Sequence, residues 1–189
     1  MKLLKPFYIQ NRFFYACIAI MILYVVSFLF PRLLNIVSLL LLCLVALTVL
    51  DTILLFFAKK GINANRNLPE KFSNGDQNNI DLIIENFYTF PVNINIIDEI
   101  PEQFQVRNFN ITRTLKPTST TKLQYQLRPV ERGEYHFGKL NIYATSFFGL
   151  IARRFAFSDQ QMVPNYPSFI QLKKYNLIGK LRSIHSIHL

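Results

Sequence analysis

The residue with the strongest claim to chemistry in this chain is Asp51, a carboxylate that directly follows the uncharged run Leu33–Leu50. An aspartate held in a bilayer away from water is expensive, so it persists only in an ion or proton pathway or beside a partner. A relay needs further ionisable groups at depth. The two apolar runs of the chain, Phe13–Phe30 and Leu33–Leu50, hold none. Reflection about the joint between them, Pro31-Arg32, sets Phe13 opposite Leu50 and Arg12 opposite Asp51. The expected arrangement is an Arg12–Asp51 pair at one membrane interface, with Thr52–Ala58 continuing the second helix through the headgroup layer.

Other reactive types are sparse. His185 and His188 have the spacing of two ligands on one helical face, but no third ligand lies near them in sequence. The hydroxyl run Thr118-Ser119-Thr120-Thr121 follows Pro117 without a neighbouring base and reads as a turn entering a strand. Asp98 and Glu99 are adjacent, so in a strand they point to opposite faces and cannot share a proton. The chain has no glycine-rich phosphate loop. No catalytic residue, cofactor or metal site, small-molecule substrate or enzymatic activity is expected from these residues.

The elements that must position Asp51 are the two runs themselves. Each has 18 residues, which at about 1.5 Å per residue just crosses a hydrocarbon core of about 30 Å. Neither shows a polar face, so residues 1–58 read as a transmembrane hairpin, with spans at about 13–30 and 33–57. Lys2, Lys5 and Arg12 precede it, Lys59, Lys60 and Arg66 come after it, and only Arg32 marks the joint. The positive-inside rule then puts both ends in the cytoplasm. Phe28-Leu29-Phe30-Pro31 lacks a small-residue cleavage site, which makes the first run an uncleaved anchor. Cys17 and Cys43 fall inside the spans and act as small apolar residues.

After Ala58 the chain carries a net charge of +7. Its cations are scattered rather than clustered with stacking aromatics, which argues for the surface of an anionic membrane and against nucleic acid. Residues 59–77 are rich in Asn, Gly and Pro and read as a linker ending in the turn Asn74-Gly75-Asp76. From 78 to 167 short alternating segments recur between turn signals: Ile80–Glu85, Val92–Ile97, Lys122–Leu127, Tyr135–Phe137, Leu140–Tyr143 and Phe155–Phe157. That pattern predicts an all-β antiparallel sandwich, immunoglobulin-like or similar. Phe87, Phe104, Phe137, Phe147 and Phe155 are its expected core, and 168–189 is a basic tail.

Three segments are less generic. They are Ile97-Asp98-Glu99-Ile100-Pro101, the stretch Leu127–Gly138, and Ser146–Arg153 with Tyr166-Pro167 beyond it. In the second, Gly133 and Gly138 are expected to supply positive φ at the ends of a short strand. In this order behind a membrane hairpin, they resemble the bacterial family catalogued as domain of unknown function 58. Its Arg-Gly-x-Tyr-x-x-Gly segment is matched by Arg132, Gly133, Tyr135 and Gly138. Its Asp-Pro-Phe-Gly-Leu-like segment is matched by Phe148, Gly149 and Leu150, with Ser146 and Phe147 in place of the Asp and Pro. The resemblance implies a bacterial inner-membrane protein. It also implies partners: AAA+ ATPases of the MoxR type and von Willebrand A-like proteins. Family members continue into a von Willebrand A-like domain through a Gly-Asp-x-x-Arg-x-x-x-Trp segment, which this chain does not contain. The chain thus resembles the amino-terminal half of a member, a fragment, split gene or frameshift product. Its expected role is a cytoplasmic interaction or scaffold module. The alternative is a transport or intramembrane catalytic component that uses Asp51.

Overall fold

The computed structural model describes residues 6–58, 60–106, 109–157 and 161–167. The basic tail, with His185 and His188, lies outside the described residues, as do Lys2, Lys5 and Lys59.

Two helices, α1 (Asn11–Leu29) and α2 (Leu34–Phe57), form an antiparallel pair joined by a single turn of 3-10 helix at Pro31–Leu33. Both are long and apolar enough to cross a membrane. Their outward positions are large exposed apolar side chains, such as Phe28, Leu29, Leu39 and Leu42. A soluble core helix would bury such residues; these helices are apolar all round. The face that α2 turns inward carries Val37, Leu44 and Asp51 at seven-residue intervals, with Leu55 one turn further on.

The rest is β. The strands are β1 (Phe7–Ile9), β2 (Ile62–Asn67), β3 (Phe72–Ser73), β4 (Asn78–Asn86), β5 (Val92–Asp98), β6 (Ile111–Leu115), β7 (Ser119–Leu127), β8 (Gly133–Phe137), β9 (Leu140–Thr145), β10 (Ile151–Phe157) and β11 (Gln161–Tyr166). Among the described residues they make one five-stranded sheet, β1-β10-β9-β5-β6, and two three-stranded sheets, β3-β11-β8 and β2-β4-β7. Each of these pairings is antiparallel except β11 with β3. Strict alternation builds the core. Ile80, Leu82 and Ile84 of β4, Val92, Ile94 and Ile96 of β5, and Ile142 and Ala144 of β9 are buried in one cluster that also takes in Leu44 and Leu55 of α2. The fold is a transmembrane-type helical hairpin leading into an antiparallel β-sandwich.

Several expectations change. The stretch expected to be a linker, 59–77, instead holds two strands: β2 pairs along its whole length with β4, and Phe72 of β3 is fully buried. Asparagine disfavours strands, but here Asn63, Asn65 and Asn67 occupy outward slots while Ile62, Ala64 and Arg66 face in. The turn at Gly75 (φ +80°) holds. The sandwich also reaches back in sequence, since β1 precedes α1 and pairs with β10 through Ile9↔Ile151. Of the five phenylalanines assigned to the core, Phe137 is buried and Phe104 and Phe155 are partly buried. Phe87 and Phe147 are exposed.

Candidate functional site

Of the residues singled out in the sequence, Asp51, Arg12 and the Ser146–Leu150 segment converge where the hairpin meets the sandwich. Asp51 lies on the inward stripe of α2 and is completely buried. One carboxylate oxygen, Oδ1, accepts the hydroxyl proton of Ser146. The other, Oδ2, accepts two backbone N–H groups, from Leu150 and Ile151, each at 3.1 Å. Two consecutive amides reach one oxygen because the chain reverses at Gly149, whose φ of +66° is a left-handed conformation. Ser146 Oγ in turn accepts the Phe148 N–H at 3.1 Å. The β9–β10 loop is therefore folded around a carboxylate supplied by a helix about a hundred residues earlier in the chain. Such charge-assisted hydrogen bonds are about twice as strong as neutral ones.

The end of α2 is held as firmly. Its late carbonyls lack helical partners. Arg153 of β10 donates from Nη1 to Leu55 O at 2.6 Å and Ala58 O at 3.2 Å, and Tyr88 Oη donates to Leu55 O at 2.8 Å. A guanidinium here also complements the negative end of the helix dipole. The same guanidinium stacks on Phe56 and Phe155, 5.1 and 4.8 Å from the ring centroids. Burial pushes the Tyr88 hydroxyl above its ordinary pKa, against the nearby Arg153 charge. Just before the other helix, the N–H of Gln10, the N-cap of α1, donates to Leu150 O at 2.9 Å.

Arg12 does not pair with Asp51. Among the described residues the ion pairs are Arg66–Asp98, Lys122–Asp81 and the contact of His136 with Glu134. Reflection about the joint does bring Arg12 to the right level: a Cβ added to Gly149 would stand 3.1 Å from Arg12 Nη1. The loop's hydroxyl and amides, however, already occupy and bury the carboxylate oxygens. Sequence reasoning missed Ser146 and Arg153 as partners. The available signal was that Asp51 falls seven residues after Leu44, on the stripe that faces the protein.

The other motif lies elsewhere and is architectural. Gly133 has φ +136°, and Tyr135 is buried with its hydroxyl donating to Glu131 O at 2.8 Å, a tyrosine corner. Arg132 is exposed. Gly138 does not have positive φ; it is needed for close approach, since an added Cβ would stand 2.7 Å from Glu99 Cβ. As expected, Asp98 and Glu99 diverge. Glu99 accepts from Lys139 N–H and Asn141 Nδ2, at 2.9 and 3.1 Å. Asp98 takes the next inward slot after Val92, Ile94 and Ile96, and there meets Arg66 Nη1 at 2.5 Å and the Tyr125 hydroxyl at 2.6 Å. Arg66 also donates to Gly138 O at 3.1 Å, so this network ties the β2-β4-β7 sheet to β5 of the five-stranded sheet and to the turn between β8 and β9. Burial pushes the Asp98 carboxyl up while Arg66 and Tyr125 pull it back, and burial together with the Asp98 charge pushes the Tyr125 hydroxyl far up.

Chemically, the Asp51 cluster is a latch. Both of its carboxylate oxygens accept hydrogen bonds from the β9–β10 loop, and the Ser146 hydroxyl that donates to one of them accepts the Phe148 N–H in turn. Among the described residues no group of three His, Cys, Asp or Glu is placed to hold a metal.

No family model and no curated protein matches this chain. Solved structures with some likeness include a PapD-like domain of human CEP192 (13% identity, 56% of this chain and 86% of that one, TM-score 0.39). Others are the CARDB domain of a Pyrococcus furiosus protein, crystallised with di-metal ions (11%, 57% and 94%, 0.38), and the PKD domain of a peptidase from a Thermoplasmatales archaeon (11%, 59% and 100%, 0.35). At these values they carry no functional argument.

Proposed function

We propose that this chain is a membrane-anchored, non-catalytic interaction module. Its hairpin sits in a bacterial inner membrane with both ends cytoplasmic. It holds the sandwich at a fixed attitude to dock a protein partner, an AAA+ ATPase of the MoxR type, with von Willebrand A-like proteins as further candidates. The observation that carries this reading is the Asp51 latch. A simple tether needs no carboxylate at the end of an apolar helix gripped by three donors from a β-loop, whereas a scaffold that resists a partner's pull needs such a joint. The cytoplasmic side is argued from the cations that flank the spans. The class of partner is argued from the family resemblance, and the edge of the five-stranded sheet at β6 offers a docking surface. The alternative, transport or intramembrane catalysis through Asp51, requires a carboxylate open to water or to an ion, and this one is sealed.

The test has two parts. Cysteine labelling at Asn74 and Asn110 in intact cells should find both sites protected from an impermeant reagent; labelling from outside would overturn the orientation. Co-purification of the chain with a MoxR-type ATPase should succeed with wild type and fall when the latch is cut by Asp51→Ala. Equal recovery with both, or none with wild type, would sink the scaffold reading.

A further inference from the structure

The β9–β10 loop carries one large apolar side chain that points out of the protein. Phe147 lies between Ser146 and Phe148 and is 59% exposed, its ring 4.0 Å centroid to centroid from Phe148. The latch fixes this loop at the level of Asp51, the residue at which the uncharged run of α2 ends. The Gln10–Leu150 hydrogen bond sets the start of α1 at the same level. Exposed Phe14 and Tyr15 are there, and Arg12 lies beside Gly149. That level is where acyl chains give way to headgroups, the zone in which aromatic rings concentrate and cations meet lipid phosphates.

We infer that the Phe147 loop is a lipid-contacting foot. The Phe147 ring enters the acyl–headgroup boundary of the leaflet that α1 and α2 leave on this side, and Arg12 lies at its phosphates. The sandwich thus rests on the bilayer instead of standing away from it. The inference depends on the membrane reading above, so its test carries a separate control for that reading.

The chain has no tryptophan, so each single substitution reports one site. Phe147→Trp, Leu42→Trp (mid-α2, 67% exposed) and Val130→Trp (60% exposed, in the β7–β8 loop) are made in the full chain. Each is reconstituted in phosphatidylcholine–phosphatidylglycerol vesicles. Phe147→Trp should emit to the blue of Val130→Trp and lose most of its emission to lipids brominated near the headgroup end of the acyl chain. Leu42→Trp should respond most to bromines near the chain end. Emission and acrylamide quenching of Phe147→Trp equal to those of Val130→Trp would overturn the foot while leaving the hairpin intact. A blue-shifted Phe147→Trp that no brominated lipid quenches would place a protein surface over the residue and also overturn it. Failure of Leu42→Trp to respond would instead overturn the membrane reading itself.

Discussion

Cutting the latch by Asp51→Ala is the perturbation that the structure makes most quantitative. Had Asp51 paired with Arg12 at an open interface, the loss would be about 1 kcal/mol or less. Here the substitution strands two buried N–H groups, those of Leu150 and Ile151, and removes the acceptor of the Ser146 hydroxyl. Each orphaned donor costs about 1–3 kcal/mol, and relief of the buried charge offsets part of the sum. The net loss in local stability is about 3 kcal/mol, roughly a hundredfold in an opening equilibrium. The assay is amide hydrogen exchange in nanodiscs, read at Leu150 and Ile151, where Asp51→Ala should exchange about a hundredfold faster than wild type. Asp51→Asn keeps one carbonyl oxygen for both amides and an NH₂ group whose proton Ser146 Oγ can accept. Its cost should be about 1 kcal/mol, under tenfold in exchange. Unchanged protection in Asp51→Ala would refute the latch. Protection kept in Asp51→Asn with partner binding abolished would point instead to chemistry at the carboxylate.

Three further outcomes are expected. Gly133→Val and Gly149→Val, at φ +136° and +66°, should each lower sandwich stability by more than about 1 kcal/mol in thermal unfolding; exposed Val130→Ala should be nearly neutral. Asp98→Ala leaves the Arg66 guanidinium buried beside Phe137 and should cost about 3–5 kcal/mol. Replacing the network as Arg66→Met, Asp98→Leu and Tyr125→Phe together should recover most of that loss in denaturant unfolding. Arg153→Ala removes one of the two donors to Leu55 O and the donor to Ala58 O and should fray the end of α2, seen as faster proteolysis at Phe57–Gly61 than in wild type.

Much of the architecture was legible in the residues because the relevant forces are local. Eighteen uncharged apolar residues are a helix long enough for a bilayer in any context, and Val92-x-Ile94-x-Ile96 is a half-buried strand by period alone. The same alternation separated Asp98 from Glu99, but which of the two faces in was decided by the structure, where Asp98 is buried. The misassigned linker failed for the converse reason. Asn63, Asn65 and Asn67 speak against a strand locally, and only the β4 neighbour, with its complete ladder, outweighs them. Gly138 was correctly singled out but for the wrong cause, since the group that crowds it is Glu99, distant in sequence.

The hairpin, the β class of the domain beyond it and the singular position of Asp51 were all set by the order of residues. Hydrophobic length, alternation and the cost of a charge beside a membrane are properties of the linear chain. Which donors satisfy that charge depended on tertiary structure alone. Ser146, Leu150 and Ile151 lie about a hundred residues away. A carboxylate's demand for hydrogen bonds fixes how many partners it must have, and the packing of β10 and β1 against α2 selects them. The same packing turned Arg12 from an ion-pair partner into a neighbour of Gly149.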